Sequence, residues 1–431
     1  MRWVVIASSC AVVCLIALFP ILIFFEACDI GFKVIIVPDD YQSIQEAIKA
    51  ADGGDVIYVK EGMYQENVVV DKPIWLIGEG ADKVIVDGGG SDFTMLVKSG
   101  GVLIAGLTIT GGGARFGLIG KGAGLELHES PGSIVVNNRI TGSRMALYVH
   151  SSPSVLIAGN LIAGDREGVY LYNSSHSLLV ANYILDNFYF AIHLFSSSRS
   201  EIIGNFLSDN GLGIYLYNSS NENKIMLNNL VGGGIILTDS SRNRILSNKL
   251  KNSGLFLYNS DQNIIKNNLV NGRPLVYLER ESGQVIKEAG QVILVKCENI
   301  TLENIKVSEV GVGVELWKTN NSKLVKSKLS RNEIGLYAYR VSGNVVHGNE
   351  ISDNEIGIQL YSSKDNSITG NLVAGNGFGV VFYRSSGNDV SGNTISLNKK
   401  YGLMLLFSPD NTLYDNAFSN NSQNIFSYNL S

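Results

Sequence analysis

The feature that most constrains the fold of this chain is a short sequence repeat. Strings such as Gly168-Val-Tyr-Leu-Tyr-Asn-Ser-Ser and Gly213-Ile-Tyr-Leu-Tyr-Asn-Ser-Ser recur about every 22 residues. A fixed period of this length is typical of a solenoid, in which neighbouring repeats share one continuous core. The units begin at Gly124, Ala146, Gly168, Ala191, Gly213, Gly234, Gly254, Gly290, Gly313, Gly335, Gly357, Gly379 and Gly402.

Each unit contains three short apolar runs separated by polar turns, as in 213–217, 224–227 and 229–231. A unit of this size is too short for a parallel crossover that contains a helix, whereas three stacked strands per turn satisfy both the spacing and the backbone hydrogen bonds. We therefore predict an all-β fold, a single parallel β-helix with about 22 residues per coil. The step from Gly254 to Gly290 is longer, and we predict that it holds a hairpin insertion at 273–289, turning near Glu281-Ser-Gly, through which the helix continues.

Asparagines recur about fourteen residues after the unit starts. An Asn amide at a tight corner both donates and accepts hydrogen bonds along a stack, and it tolerates left-handed backbone geometry. The pattern predicts a structural ladder at one turn of every coil except the one that starts at Gly313. Its members are Asn138, Asn160, Asn182, Asn205, Asn228, Asn248, Asn268, Asn304, Asn349, Asn371, Asn393 and Asn416.

The amino-terminal part of the chain differs from the repeats. Trp3 to Phe25 is an almost unbroken apolar run that follows Arg2, so we expect residues 1–30 to form a transmembrane helix that leaves the remainder outside the cytoplasm. A secretory signal that is cleaved off is the alternative. Residues 31–123 are predicted to hold the first coils and a short capping helix, which opens at the capping box Ser43-Ile-Gln-Glu46, and residues 124–431 the repeated coils.

The composition excludes some classes of function. The net charge is near −5 and no Lys/Arg cluster occurs, which argues against nucleic-acid binding. Only Cys28 and Cys297 lie outside the apolar run, too few for a disulfide framework or a cysteine-based metal cluster.

Several segments resemble a known family. Tyr41-Gln-Ser-Ile-Gln-Glu-Ala-Ile, Gly62-Met-Tyr-Gln-Glu-Asn and Pro73-Ile-Trp-Leu-Ile-Gly look like the opening of pectin-lyase-fold proteins. With the repeats, Asn271-Gly-Arg-Pro-Leu-Val-Tyr and Ala289-Gly-Gln-Val-Ile-Leu-Val-Lys-Cys, the chain most resembles NosD-like β-helix proteins with carbohydrate-binding and sugar-hydrolysis (CASH) domains. The resemblance implies a right-handed parallel β-helix from Val34 onward. It does not choose an activity, because the relatives include pectin-degrading enzymes, surface proteins and accessory factors named for periplasmic copper binding.

The strand that begins each unit corresponds to the face on which the resembled enzymes bind polysaccharide. Alternation points the second and fourth residues after each unit start outward, and these positions are unusually aromatic. The rings could simply stack on one another across coils, yet so continuous an apolar strip also suggests a glycan, a protein partner or a cover. Flat aromatic faces beside Asn and Ser suit a sugar, and the scarcity of basic residues favours neutral glycans. The candidate carbohydrate-binding residues are Tyr148, Tyr170, Tyr172, Phe195, Tyr215, Tyr217, Tyr258, Trp317, Tyr337, Tyr339, Tyr361 and Tyr383.

Catalytic and metal-binding residues are harder to find. Outward carboxyl groups on these strands are Glu126 and Glu315, several coils apart, whereas glycoside hydrolysis needs a close pair. Glu126, His128 and His150 form a candidate surface metal site, with two imidazoles continuing the aromatic column as the alternative.

From these residues we expect a membrane-anchored extracellular or periplasmic β-helix that binds a polysaccharide or surface glycan, or a protein partner, without a required cofactor and without established catalysis. The alternatives are a divergent polysaccharide lyase or glycoside hydrolase and a NosD-like accessory in copper-centre maturation.

Overall fold

A computed structural model describes residues 32–113 and 122–429. They form a right-handed parallel β-solenoid with three strands per coil and one short helix. This confirms the predicted all-β β-helix. The predicted transmembrane segment lies outside the described residues. Within 32–113 and 122–429, no helix is long and apolar enough to span a membrane.

The solenoid consists of an N-segment (34–270) and a C-segment (273–428), and each has three sheets. In every coil the front strand begins the repeat unit, the side strand follows it and the rear strand closes the coil. The strands of one sheet pair in parallel, coil upon coil.

The N-segment contains thirty of the strands. Its front sheet holds β4 (Val68–Val70), β7 (Phe93–Val97), β10 (Ala123–His128), β13 (Met145–His150), β16 (Glu167–Tyr172), β19 (Phe190–Phe195), β22 (Leu212–Tyr217), β25 (Ile235–Thr238) and β28 (Leu255–Tyr258). Its side sheet holds β1 (Val34–Val37), β2 (Val56–Val59), β5 (Trp75–Gly78), β8 (Leu103–Ala105), β11 (Ile134–Val136), β14 (Leu156–Ala158), β17 (Leu178–Val180), β20 (Glu201–Ile203), β23 (Lys224–Met226), β26 (Arg244–Leu246) and β29 (Ile264–Lys266). Its rear sheet holds β3 (Gly62–Gln65), β6 (Val84–Ser91), β9 (Thr108–Gly112), β12 (Arg139–Thr141), β15 (Leu161–Ala163), β18 (Tyr183–Leu185), β21 (Phe206–Ser208), β24 (Asn229–Val231), β27 (Lys249–Lys251) and β30 (Leu269–Val270).

The C-segment repeats the same arrangement. Its front sheet holds β31 (Arg273–Glu279), β33 (Gln291–Val295), β36 (Val312–Trp317), β39 (Ile334–Tyr339), β42 (Ile356–Tyr361), β45 (Phe378–Tyr383), β48 (Tyr401–Leu406) and β51 (Gln423–Tyr428). Its side sheet holds β32 (Val285–Ile286), β34 (Thr301–Glu303), β37 (Lys323–Val325), β40 (Val345–His347), β43 (Ser367–Thr369), β46 (Asp389–Ser391) and β49 (Thr412–Tyr414). Its rear sheet holds β35 (Lys306–Ser308), β38 (Lys328–Ser330), β41 (Glu350–Ser352), β44 (Leu372–Ala374), β47 (Thr394–Ser396) and β50 (Ala417–Ser419).

The two segments join at a tight antiparallel hairpin. β30 pairs antiparallel with β31, and the turn residues Asn271 and Gly272 have φ angles of 49° and 79°, as a two-residue type I′ turn requires. The rear sheet of the N-segment therefore runs on into the front sheet of the C-segment with the chain direction reversed. The prediction of a hairpin insertion that turns near Glu281 was wrong in position, because residues 273–286 supply β31 and β32 and thus form a coil of the C-segment.

The helix α1 (Ile44–Ala50) covers the first coils, as the capping box predicted. Ser43 accepts a hydrogen bond from the backbone N–H of Glu46 over 3.2 Å, and Ile44, Ala47 and Ile48 are buried. The carboxylate of Glu66 accepts from the next two free N–H groups, those of Ile44 and Gln45. The helix therefore has both the polar N-cap and the buried apolar face that the sequence predicted.

The predicted asparagine ladder is confirmed in the N-segment. From Asn160 to Asn268, each amide oxygen accepts from the backbone N–H and the side-chain amide of the asparagine in the preceding coil, as Asn205 does from Asn182 at 2.9 Å in both cases. In the C-segment the assignment of Asn304 was wrong. Asn304 is exposed, and the buried position in its coil belongs to Ile305, whose N–H donates to Ser327. Ser327 in turn donates its N–H to Asn349, so the ladder resumes one coil later.

The small residue at each unit start has a packing cause. A Cβ on Gly379 would lie 2.4 Å from the carbonyl oxygen of Gly402 in the next coil. The same contact with the next coil recurs at Gly335, at 2.6 Å, and at Gly357, at 2.5 Å. The repeat is therefore anchored at a position where side-chain volume is restricted.

Candidate functional site

Outward side chains of the N-segment front sheet form two columns across the coils. Parallel pairing without register shifts puts equivalent positions side by side. The second-position column consists of Glu126, Tyr148, Tyr170, His193, Tyr215, Ile236 and Phe256, and the fourth-position column of His128, His150, Tyr172, Phe195, Tyr217, Thr238 and Tyr258. The aromatic strip predicted from the repeats is therefore present in this segment.

Neighbouring rings in the second-position column stack on one another. The ring centroids are 5.5 Å apart for Tyr148 and Tyr170, 4.5 Å for Tyr170 and His193, and 5.1 Å for His193 and Tyr215. In the fourth-position column, Tyr172 stacks on Phe195 at 5.2 Å. Ring-on-ring packing of this kind stabilises the sheet, so the structural role of these residues is confirmed.

The columns nevertheless keep accessible surface. Tyr172 is 36% exposed and Tyr258 is 42% exposed, while most other rings are half-buried. Stacking therefore uses the ring faces, and the rest of each half-buried ring keeps some accessible surface. A sugar chain that lies along the columns would contact this surface.

Burial also changes the chemistry of the second-position column. It raises the pKa of the Tyr170 hydroxyl to about 12 and lowers the pKa of the His193 imidazole to about 4. Neither ring nitrogen of His193 has a hydrogen-bond partner among the described residues. Tyr170 and His193 are thus both uncharged at neutral pH.

The aromatic ladder does not continue unbroken into the C-segment. Trp317, Tyr337 and Tyr339 are only 5%, 8% and 9% exposed, so the prediction that they point to solvent was wrong. Trp317 packs edge-on against Tyr258 at 5.6 Å, and Tyr337 packs against Phe256 at 5.9 Å. Tyr361 and Tyr383, farther along, are half-buried and stack on each other at 4.9 Å.

These rings are buried because the outer face of the C-segment front sheet covers the open end of the N-segment. The side-chain amide of Gln291 bonds both backbone groups of Leu255 in the terminal strand β28, and the carboxyl of Glu315 accepts from Leu257 N–H at 3.4 Å. All residues of β33 and β36 are buried, on both faces of the sheet. The outer face of the C-segment front sheet lies against the N-segment because the chain direction reverses at the hairpin. The repeat pattern does not predict this packing.

A cleft opens where the two segments meet. It encloses about 920 Å³, and the two shortened coils at 232–236 and 252–256 form one side. The other side comes from turns of the C-segment, with Glu309, Arg331, Glu333, Asp353 and Glu355. These five side chains converge only because of how the segments pack, and the repeat pattern does not show it.

The candidate metal residues lie close together at the start of the fourth-position column. The Nδ1 atoms of His128 and His150 are 3.0 Å apart, and Oε1 of Glu126 is 3.8 Å from Nδ1 of His128. The two imidazole rings also lie against each other, tilted by 32°, with centroids 4.8 Å apart. Within 32–113 and 122–429, no group of three or more His, Cys, Asp or Glu side chains could hold a metal ion.

Comparison with known proteins identifies a family. Residues 51–233 and 275–429 match the family described as "Periplasmic copper-binding protein (NosD)". No curated protein matches the sequence.

Among solved structures, the catalytic domain of an alpha-1,3-glucanase in complex with nigerose is 11% identical over 93% of this chain and 69% of that one, with a TM-score of 0.36. Dettilon tailspike protein is 14% identical over 88% of this chain and 68% of that one, with a TM-score of 0.43. DFA-IIIase from Arthrobacter chlorophenolicus A6, in complex with GF2, is 15% identical over 73% of this chain and 93% of that one, with a TM-score of 0.41.

Proposed function

The chain belongs to the NosD family of periplasmic β-helix proteins, and on that premise we propose that it is an extracytoplasmic solenoid that binds a glycan along the front sheet of its N-segment. The observation that carries the proposal is the pair of aromatic columns, which remain accessible along their edges although their rings stack. The parts of the rings that stacking leaves accessible offer apolar contact to a sugar, and tyrosine hydroxyls bond sugar hydroxyls. The membrane run Trp3 to Phe25 would hold the solenoid at the outer side of a membrane.

The electrostatics of the face favour a glycan without negative charge. Tyr170 keeps its proton and His193 stays neutral near pH 7, so the column has no cation that would pair with a carboxylate sugar. Uncharged hydroxyl groups of a neutral polysaccharide match this surface. A protein partner that covers the same strip is the competing occupant.

Copper, which the family description names, is not part of the proposal. His128 and His150 approach each other closely enough for two ligands of one ion, but the described residues supply no cluster of three or more suitable side chains. The residues described do not fit a resident copper centre.

A binding experiment on the full chain tests the proposal. A glycan array would identify ligands, and titration calorimetry would compare the unaltered chain with Tyr170→Ala and Tyr172→Ala. We expect each variant to bind about tenfold more weakly, because aromatic anchors dominate such interfaces. Tyr183→Ala is the matched control, since Tyr183 is 57% exposed but lies on the rear sheet.

The thermal midpoints of the variants show whether the solenoid still folds. If Tyr170→Ala and Tyr172→Ala fold normally and bind the same glycans as strongly as Tyr183→Ala does, the aromatic columns are not the binding surface. If the folded chain binds no glycan on the array, the proposal is overturned.

A further inference from the structure

Another pocket lies on the C-segment, beside the hairpin that joins the two segments. It encloses about 300 Å³, and its walls come mainly from the hairpin and from the first two rear strands, β35 and β38. The lining residues include no acidic side chain but four basic ones, namely Arg273, Lys306, Lys328 and Arg331. These residues come from three coils and do not form a cluster in the sequence, so only the stacking of the coils brings them together.

The positive charge of this pocket is only partly compensated. Lys328 and Arg331 each pair with a glutamate outside the lining, at 2.5 Å and 3.0 Å. Within residues 32–113 and 122–429, Arg273 and Lys306 form no ion pair. Lys306 and Lys328 also lie directly opposite each other on β35 and β38. Like charges at opposed positions destabilise a sheet, so an anion bound beside them would offset this repulsion.

The guanidinium group of Arg273 is held in position by β35. This strand begins the rear sheet of the C-segment, so one of its edges has no neighbouring strand among the described residues. Nη1 of Arg273 donates to the carbonyl oxygen of Lys306 over 3.0 Å, and the amide of Asn271 donates to that of Ser308 over 2.8 Å. A guanidinium group has five N–H donors in a fixed geometry, so this bond orients the group and leaves donors for a ligand.

Ser330 supplies a polar group that lacks a partner. It is only 5% exposed, and its hydroxyl makes no hydrogen bond with any described residue. Leu329 points into the core, so alternation turns Lys328 and Ser330 to the outer face of β38, where both line the pocket. The hydroxyl oxygen keeps accessible surface, so a ligand in the pocket can reach it. A nearly buried polar group without a partner costs free energy, and a ligand that bonds it recovers that cost.

We propose that this pocket binds a tetrahedral oxyanion, which is a phosphate or sulfate group. Arg273 and Lys306 supply the uncompensated positive charge, and Ser330 donates a hydroxyl hydrogen bond together with Ser308, which lines the pocket from the paired position on β35. The volume also leaves room for part of a molecule that carries the group. The inference does not rest on the proposed glycan binding, because the aromatic columns lie on the front sheet of the N-segment.

Titration calorimetry on the full chain tests the proposal with inorganic phosphate, inorganic sulfate and acetate, at pH 7.5 and constant ionic strength in chloride. We expect phosphate or sulfate to saturate one site per chain and to bind about tenfold more tightly than acetate, because the tetrahedral ions carry more charge and more acceptor oxygens. Glucose 6-phosphate distinguishes the sources of the group. Tighter binding than that of inorganic phosphate identifies a phosphate ester, and weaker binding identifies a free ion.

Two variants test the pocket itself, each with a matched control. Lys306→Gln should weaken the binding of phosphate about tenfold, whereas Lys323→Gln, which removes an exposed lysine charge from the side sheet, should leave it unchanged. Ser330→Ala removes no charge and should weaken the binding about fivefold. Ser352→Ala changes the equivalent serine of the next coil, outside the pocket, and should have no effect. Thermal midpoints show whether each variant folds.

The absence of saturable binding, or acetate that binds as tightly as phosphate and sulfate, overturns the proposal. The same holds if Lys306→Gln binds phosphate as tightly as Lys323→Gln does. If only the lysine variant weakens binding, while Ser330→Ala and Ser352→Ala bind alike, the ion responds to surface charge and the pocket is not a built site. Weaker binding in both pocket variants at unchanged thermal midpoints supports the oxyanion site, whatever the glycan array shows.

Discussion

The side-chain amide of Gln291 replaces a missing strand for Leu255. Its Nε2 donates to the Leu255 carbonyl oxygen at 2.6 Å, and its Oε1 accepts from the Leu255 N–H at 2.8 Å. Nε2 also donates to the carbonyl oxygen of Val312 at 2.8 Å. A terminal strand in a β-solenoid exposes unpaired backbone groups, and here one side chain of the next segment satisfies those of Leu255.

Gln291→Ala should therefore open the end of the N-segment. The change leaves buried N–H and C=O groups of Leu255 without partners, which costs about 3 kcal/mol. Amide hydrogen exchange of β28 would show this as faster exchange at residues 255–258 than in the unaltered chain. Gln284→Ala, at an exposed position in the C-segment, is the control. Similar exchange at β28 in both variants would mean that Gln291 does not cap the strand.

His193 makes the stability of the front sheet depend on pH. Its pKa is lowered to about 4 by burial, so the unfolded chain takes up a proton below about pH 6.5 while the folded chain does not. Stability is therefore complete above about pH 6.5 and decreases as the pH falls toward about 4, by about 2 kcal/mol at pH 5.

His193→Phe should keep the stack on Tyr170 and Tyr215 and lose this dependence. The measurement is the difference between thermal midpoints at pH 7 and pH 5, which we expect to be smaller in the variant than in the unaltered chain. His176→Asn, at an exposed turn position with positive φ, serves as the control. If the difference between the thermal midpoints at pH 7 and pH 5 is as large in His193→Phe as in the unaltered chain, groups other than His193 cause the pH dependence.

Asn205 shows what one member of the ladder contributes. Its amide donates to Leu179 O and to Asn228 Oδ1, both at 3.0 Å, and its Oδ1 accepts twice from Asn182. Asn205→Ala would leave several of these buried groups unpaired, at an expected cost of about 2 to 4 kcal/mol. Asn173→Gly changes an exposed Asn with a positive φ of 51° and should cost less than about 0.5 kcal/mol.

Chemical denaturation followed by circular dichroism would compare the two variants with the unaltered chain. If the buried ladder hydrogen bonds stabilise the fold, the free energy of unfolding decreases in Asn205→Ala and stays nearly unchanged in Asn173→Gly. If Asn173→Gly is equally destabilised, exposed and buried asparagines contribute alike, and the ladder has no special role.

The coil could be predicted from the repeat because the residues that define it interact within one or two coils. The apolar runs, the small residue at Gly379 and the capping box at Ser43 each act within one or two coils, and the structure confirms them. The buried serines were missed although their signal was present. Ser174 and Ser220, inside the repeated Asn-Ser-Ser strings, pair from coil to coil as a second ladder through Ser197.

The packing of the C-segment against the end of the N-segment could not be predicted from the 22-residue repeat. Asn271-Gly272 is itself a strong hairpin signal, but its effect on the rest of the chain depends on which face the reversed strands turn toward the N-segment. Contacts such as Tyr258 with Trp317 and Leu257 with Glu315 join residues about 60 positions apart, across units whose sequences look alike. The cleft follows from the same packing, so its acidic wall could not be read from the coils that supply it.

Glu315 provides the last prediction, since its carboxyl is buried between the segments. Leu257 N–H donates to Oε2, Oε1 has no partner among the described residues, and burial raises the pKa of the group well above its usual value. The folded chain then holds this proton at a pH where the unfolded chain has released it. The stabilising contribution is complete below about pH 4.5 and decreases by about 1.4 kcal/mol per pH unit above it, until the pH passes the folded-state pKa.

Glu315→Gln keeps an acceptor for Leu257 and has no proton to lose. The thermal midpoint of the variant should therefore rise relative to that of the unaltered chain as the pH increases from 5 to 8. At pH 8, amide exchange at the junction should be slower in the variant than in the unaltered chain. Glu281→Gln, at an exposed turn, should follow the unaltered chain throughout. A constant difference between Glu315→Gln and the unaltered chain across this range would show that Glu315 does not change its charge there, because only a carboxyl that is protonated in one state and ionised in the other produces a slope.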